Sequence, residues 1–144
     1  MKEPFDLLRD FINTVEVKVQ ELAKENGIEH LSGPQGRTVS YLFRNQDKEI
    51  FVKDIEERLH ISKSVASNLI KRMVKNGFVS IIPSQKDKRC KQIVLTPLGL
   101  EKAEKIIVFH EKIHEQLLRG VDETELEVAR RVFKQIKRNL EKKE

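Results

Sequence analysis

Apolar residues recur at spacings of three and four along most of this chain, which is the pattern of amphipathic α-helices. The first such stretch runs from about Glu3 to Glu25 and stops before Asn26-Gly27, a pair typical of a helix end. Its apolar stripe consists of Leu8, Phe11, Ile12, Val15, Val19, Leu22 and Ala23. The same periodicity predicts five further helices, over about 32–44, 53–59, 63–75, 97–119 and from about 122 onward.

Residues that cap helix N-termini support four of these boundaries. At two of these boundaries a proline in the first turn also supports a helix start, because the missing N–H of proline would have no hydrogen-bond partner there. The capping residues are Ser32 with Gln35, Ser62, Thr96 followed by Pro97, and Asp122 with Glu125.

Three short segments rich in β-branched and aromatic residues predict strands. Ile50–Val52 is expected to be an edge strand. Phe78–Ile82 and Gln92–Leu95 flank a polar loop over Pro83–Lys91, so we expect them to pair as a hairpin. The predicted fold is mainly α-helical with a small β-wing.

The fourth helix separates apolar from polar residues. Its core side is expected to consist of Val65, Leu69, Ile70 and Met73. Its outer side, at positions i, i+3, i+4 and i+7, consists of Ser64, Ser67, Asn68 and Lys71. A helix of this kind, preceded by a short helix and a turn and followed by a basic hairpin, is typical of proteins that place one helix in the DNA major groove.

Positive charge is concentrated in the same region. Between Ser62 and Lys91 there are eight basic residues and one acid, Asp87, so this segment carries +7 whereas the whole chain carries +5. Such segregation favours a phosphate-binding surface over a uniformly solvated one. No catalytic motif is present, and a single cysteine, Cys90, excludes an internal disulfide and a Cys-based zinc finger. We therefore expect a binding protein and not an enzyme.

The order of elements and the residues resemble the MarR family of winged-helix transcriptional regulators over essentially the whole chain. Four segments carry the resemblance: Leu31–Gln35 at the start of the second helix, the helix-turn-helix pattern from Ile55 to Val79, the wing signature Asp87-Lys88-Arg89, and the strand-to-helix junction Val94–Gly99. The wing signature, at the right distance and followed by Leu-Thr-x-x-Gly, makes the resemblance specific.

The resemblance implies one domain over residues 1–144, with a winged helix-turn-helix at about 33–96 and dimerisation helices at about 3–26 and 97–142. It implies a homodimer that binds pseudo-palindromic double-stranded DNA, usually as a repressor, and that is often released by a small ligand. No cofactor is expected. With no signal peptide and no apolar run long enough to span a membrane, we expect a cytoplasmic protein without membrane association.

The expected DNA-binding residues follow from their chemistry and position. Asn68 can pair with adenine and Lys71 with guanine, while Arg89 suits a minor groove and Asp87 suits holding its guanidinium. The full set is Ser62, Lys63, Ser64, Ser67, Asn68, Lys71, Arg72, Lys86, Asp87, Lys88 and Arg89.

The residues are also compatible with two other functions. His110 and His114 stand one helical turn apart, and His30 precedes the second helix, so a zinc-gated or other metal-gated regulator is one alternative. The other is a winged helix used for protein–protein interaction. Cys90, beside Arg89 and Lys91, is either a reactive thiol or a small residue at the return of the wing.

Overall fold

Six α-helices, one short 3-10 helix and one β-hairpin make up residues 3–142, the part of the chain that this computed structural model describes. In chain order they are α1 (Pro4–Glu25), a 3-10 helix (Glu29–Leu31), α2 (Pro34–Arg44), α3 (Val52–Leu59), α4 (Lys63–Lys75), β1 (Val79–Pro83), β2 (Lys91–Leu95), α5 (Pro97–Leu118) and α6 (Glu123–Glu141). The predicted class, mainly helical with a small β-wing, is confirmed.

The chain forms two compact units, one up to Glu111 and one from Lys112 onward. The first unit contains the core. Its centre is built from Val39 of α2, Ile55 of α3, Met73 of α4 and Ile106 of α5, all fully buried. Helices α2 and α3 pack against the inner side of α4, which leaves its outer side exposed.

The start of α4 follows the predicted cap. The Ser62 hydroxyl accepts a hydrogen bond from the backbone N–H of Val65 at 3.3 Å, which satisfies one of the free donors of the first turn. His60, in the turn before it, has a left-handed backbone conformation with φ of 55°. This turn redirects the chain between α3 and α4.

The buried stripe of α4 contains Leu69, Ile70 and Met73 as predicted, but its first member is Ala66 and not Val65. Val65 is 49% exposed, whereas Ala66 is fully buried. The four buried side chains follow the spacing i, i+3, i+4 and i+7, which places Ala66, Leu69, Ile70 and Met73 on one face of the helix. Val65 lies to the side of this face. Val65 consequently joins the outer surface.

The hairpin is antiparallel, with Val79 opposite Leu95 and Pro83 opposite Lys91. At the base of the hairpin, Thr96, the residue before α5, is bonded to two of the residues that connect α4 to β1. Thr96 donates from its backbone N–H to the Phe78 carbonyl at 3.1 Å and from its hydroxyl to the Gly77 carbonyl. The same hydroxyl accepts from the N–H of Gly99 at 3.0 Å. A side chain at Gly99 would collide with the Phe78 carbonyl oxygen, so the close approach requires glycine here.

The edge strand predicted at Ile50–Val52 is wrong. Val52 begins α3, and the Asp54 carboxylate accepts a hydrogen bond from the Phe51 N–H at 2.8 Å, which caps that helix. Ile50 does approach the sheet, since its carbonyl accepts from the Ile93 N–H at 2.8 Å. Because α3 begins at Val52, a single hydrogen bond to the sheet replaces the predicted strand.

The predicted start of α2 is also corrected. The helix begins at Pro34 with Gly33 before it, and the Ser32 hydroxyl donates to the Glu29 carbonyl at 3.3 Å and not into α2. Gln35 forms no capping box, because its side-chain oxygen accepts from the amide of Asn76 at 3.0 Å. A contact with the end of α4 has replaced the local one.

The second unit consists of the end of α5 and α6. Asp122 caps α6 by accepting from the backbone N–H groups of Thr124 and Glu125. No residue of α6 is buried, and Phe133 is 53% exposed. The predicted apolar stripe of α6 is thus open to solvent in one copy of the chain. None of the helices within residues 3–142 is both long and apolar enough to cross a membrane.

Candidate nucleic-acid interface

The outer surface of α4 presents the polar and basic side chains that the sequence assigns to it. Ser67 is half-buried, which leaves its hydroxyl close to the helix surface. The exposed members are Ser62, Lys63, Ser64, Asn68, Lys71 and Arg72. Helix α4 therefore offers hydrogen-bonding groups at its middle and positive charge at both ends.

The wing, residues 83–91, presents an oriented arginine. The Asp87 carboxylate accepts from Nε and Nη2 of Arg89, both at 3.1 Å, and from the Arg89 backbone N–H at 3.1 Å. This two-pronged contact holds the guanidinium plane in one orientation. The Arg89 side chain is nevertheless 90% exposed, so its remaining N–H groups are free to contact another molecule.

The same contact keeps the acid ionised. The hydrogen bond from the Arg89 guanidinium, and after it the one from the Arg89 backbone N–H, lower the pKa of Asp87. The charge of Asp87 is thus neutralised locally. Lys86 and Lys88, on either side, are exposed, and the wing tip carries net positive charge.

Sequence reasoning missed the residues that hold the wing at its base. The Glu49 carboxylate contacts buried Ser84 and buried Gln92. The Ser84 hydroxyl and then the Gln85 backbone N–H lower the pKa of Glu49. Because Ser84 and Gln92 lie 35 and 43 residues from Glu49 in the sequence, no local periodicity could have signalled this contact.

Cys90 takes part in the backbone hydrogen bonding of the loop. Its N–H donates to the Asp87 carbonyl and its carbonyl accepts from the Ser84 N–H, both at 2.9 Å. The thiol is exposed and lies 3.9 Å from the Asp87 carboxylate. This arrangement favours the role of a small residue at the return of the wing.

A pocket of about 460 Å³ lies between α2, α3 and α5 in the first unit. Three arginines, Arg37, Arg44 and Arg58, line it, and none forms a salt bridge with another residue of the 3–142 segment. The Arg58 guanidinium lies 5.7 Å from the centre of the Tyr41 ring. Unpaired arginines around a cavity favour an anionic occupant.

His110 also lines this pocket, together with Ser40. Partial burial and then the positive charge of Arg44 lower the pKa of His110, which favours a neutral imidazole. Within the described segment, no three or more His, Cys, Asp or Glu residues come together as a metal site.

Comparisons of the sequence and of the structure with known proteins agree on the family that this chain resembles. The MarR family profile matches residues 31–89. Over 97 residues the chain is 24% identical to the HTH-type transcriptional repressor IacR of Pseudomonas putida, a match that covers 67% of this chain and 58% of that repressor.

Among solved structures, the heme sensor protein PefR from Streptococcus agalactiae in complex with heme is 45% identical, with a TM-score of 0.78 and coverage of 96% of this chain and 95% of that one. A Staphylococcus protein of the same fold, S. aureus MepR in its DNA complex, is 20% identical with a TM-score of 0.84, covering 96% of this chain and 99% of that one. At that identity the MepR likeness shows the fold alone.

Proposed function

We propose, on the premise that this chain belongs to the MarR family of transcriptional regulators, that it is a homodimeric repressor of a pseudo-palindromic operator and that an anionic small ligand releases it. The observation that carries the DNA-binding part is the guanidinium of Arg89, held by Asp87 at the tip of an otherwise basic, exposed loop. An arginine oriented in this way is suited to the negative potential of a minor groove.

The outer side of α4 would lie in the adjacent major groove. Asn68 and Ser67 are uncharged and sit at its middle, so we assign them to base edges, together with Ser64 and Lys71. Ser62 and Lys63 precede or open the helix, where backbone N–H groups also favour phosphate, and Arg72 adds charge. In the wing, Lys86 and Lys88 would supply attraction that does not depend on sequence.

The dimer is supported by apolar side chains that one copy leaves in water. On α1, Phe5, Leu7 and Phe11 are each more than half exposed. On α6, Phe133 and Leu140 are 53% and 82% exposed. Exposed stripes of this length usually mark an interface, and a second copy of the chain would cover each stripe. Light scattering that shows a monomer at micromolar concentration would contradict the dimer.

The ligand is proposed from the arginine-lined pocket. Heme is the first compound to test, because the 45% identical PefR is described as a heme sensor protein and the donors here suit it. Arg37, Arg44 and Arg58 could bind its carboxylates. His110 of α5, which lines the pocket, could ligate the iron. Bound heme would supply an iron centre with a distinctive visible spectrum.

The DNA-binding proposal is tested by separating sequence recognition from attraction. A duplex selected by the protein from a random library and a scrambled duplex are compared by fluorescence anisotropy at several salt concentrations. Asn68→Ala should weaken binding to the selected duplex, by about 1–3 kcal/mol, and leave the scrambled duplex unaffected. Lys86→Ala should weaken both and reduce the salt slope by about one unit. Equal losses on both duplexes for Asn68→Ala would mean that α4 anchors and does not recognise sequence.

The ligand proposal is tested by heme titration of the dimer and of its complex with the selected duplex. Heme should release the DNA, and Arg44→Ala should weaken heme binding since it removes one pocket cation. His110→Ala should change the absorption spectrum of bound heme, and His114→Ala, at a histidine that does not line the pocket, is the control. If heme leaves the complex intact, heme is not the effector.

A further inference from the structure

One carboxylate from a distant part of the chain bonds to both arms of the wing. Glu49, in the loop between α2 and α3, accepts through Oε1 from the Ser84 hydroxyl at 2.7 Å. Its Oε2 accepts from the Gln85 backbone N–H and from the Gln92 side-chain amide, both at 2.8 Å. Ser84 and Gln85 follow β1, and Gln92 lies in β2, so Glu49 ties the two arms together.

The Ser84 hydroxyl passes this constraint on to the wing tip. Because it donates its single proton to Glu49, its lone pairs remain for acceptance. They accept from the backbone N–H of Lys86 at 3.1 Å and of Asp87 at 3.2 Å. Asp87 in turn holds the Arg89 guanidinium. Each link is a hydrogen bond within normal distance, and they run without a gap from Glu49 to Arg89.

The burial of the partners makes these bonds hard to replace with water. Ser84 is 2% exposed and Gln92 is 7% exposed. A buried polar group that loses its partner stays unsatisfied unless the backbone moves. Loss of the Glu49 carboxylate should therefore alter the loop.

We propose that Glu49 is a positioning residue for DNA recognition: it contacts no DNA, and through Ser84 and Asp87 it determines where the Arg89 guanidinium lies. This inference rests on the proposed function, since it assigns Glu49 a role in the DNA affinity of the wing. The positioning role and simple electrostatics predict opposite effects of removing the Glu49 charge on DNA affinity. Glu49 brings negative charge to the base of a basic loop, so charge alone predicts that its removal tightens DNA binding. The positioning role predicts the opposite.

The variant to test is Glu49→Gln, which keeps the size of the side chain but replaces one acceptor by a donor. In one orientation of the amide this donor faces the donors of Gln85 and Gln92, and in the other it faces the Ser84 hydroxyl, whose lone pairs already accept from Lys86 and Asp87. The matched control is Glu57→Gln, the same change at an exposed position of α3. Glu49→Gln should weaken binding to the selected duplex about 3- to 30-fold, whereas Glu57→Gln should leave it unchanged or slightly tighter.

A double-mutant cycle with Arg89→Ala distinguishes positioning from general destabilisation. If Glu49 acts through Arg89, adding Glu49→Gln to Arg89→Ala should change affinity less than about 2-fold. The same fold-loss in both backgrounds would overturn the proposal, as would equal or tighter binding by the single variant.

A second measurement needs no DNA. Hydrogen–deuterium exchange of the free protein should show that Glu49→Gln speeds exchange of the Lys86 and Asp87 amides, while Glu57→Gln does not. Unchanged protection of both amides would also overturn the proposal. If the wild-type protein binds no duplex at all, the proposed function fails while the exchange data still decide whether Glu49 holds the loop.

Discussion

Ser40→Ala is expected to stabilise the protein, although it deletes a buried polar atom. The Ser40 hydroxyl oxygen is buried and has no hydrogen-bond partner among residues 3–142. An unsatisfied buried hydroxyl destabilises the folded state by about 1–3 kcal/mol. Alanine is also the better helix former inside α2, by roughly 0.5 kcal/mol.

The opposing loss is small. Removing one oxygen loses a few van der Waals contacts of about 0.1–0.2 kcal/mol each, so the total loss of stability is less than about 1 kcal/mol. The net effect should be a stabilisation of about 1–2 kcal/mol. For a chain of this length that corresponds to a rise in melting temperature of about 2–8 °C.

Ser84→Ala is the matched control. Ser84 is also buried, but its hydroxyl donates to Glu49 and accepts from two backbone N–H groups. The same chemical change should therefore destabilise the protein there, by about 1–3 kcal/mol. Urea unfolding with an unchanged slope measures both variants on one scale. Equal destabilisation by Ser40→Ala would refute the reasoning, because it would mean that the Ser40 hydroxyl has a partner.

Two further predictions concern the carboxylates of Asp87 and Glu49. Asp87→Ala should weaken binding to the selected duplex although it removes a negative charge, since Arg89 loses its two-pronged contact; tighter binding in an anisotropy titration would show that simple charge dominates. Acidification should reduce stability, because the folded-state pKa values of Glu49 and Asp87 are lowered. Each ionised carboxylate stabilises the fold fully above its ordinary pKa, and this stabilisation is lost as the pH falls through the lowered pKa. The difference in unfolding free energy between wild type and Glu49→Gln, measured in urea, should therefore shrink from about pH 7 to about pH 3. A gap that stays constant would contradict this assignment.

The sequence predicted the elements that are specified locally. The limits of α4, Lys63–Lys75, follow from the Ser62 cap and the apolar spacing. The start of α5 follows from Thr96-Pro97 and that of α6 from Asp122. Such signals work because the hydrogen bonds involved join residues two to four apart.

Prediction failed where a distant residue took the bond that a local pattern had assigned. The Gln35 side chain was expected to cap α2, but its oxygen accepts a hydrogen bond from the Asn76 amide instead. The carboxylate of Glu49 and the arginines around the pocket were missed because their neighbours likewise come from other elements. The error at Ile50–Val52 is different, because its cause is local: the Asp54 carboxylate accepts from the Phe51 N–H, three residues earlier, and caps α3.

The hydrogen bonds at the foot of the hairpin fix the position of α4 independently of the sequence of the wing tip. Thr96 and Gly99 are held against Gly77 and Phe78 at the foot of the hairpin, and no residue of the tip, 86–89, takes part. The tip can therefore be exchanged for that of another protein without tilting α4. In the proposed DNA complex, the contacts of α4 and those of the tip would therefore be separately adjustable, so that a new operator preference could be built by changing four residues without altering the fit of the helix.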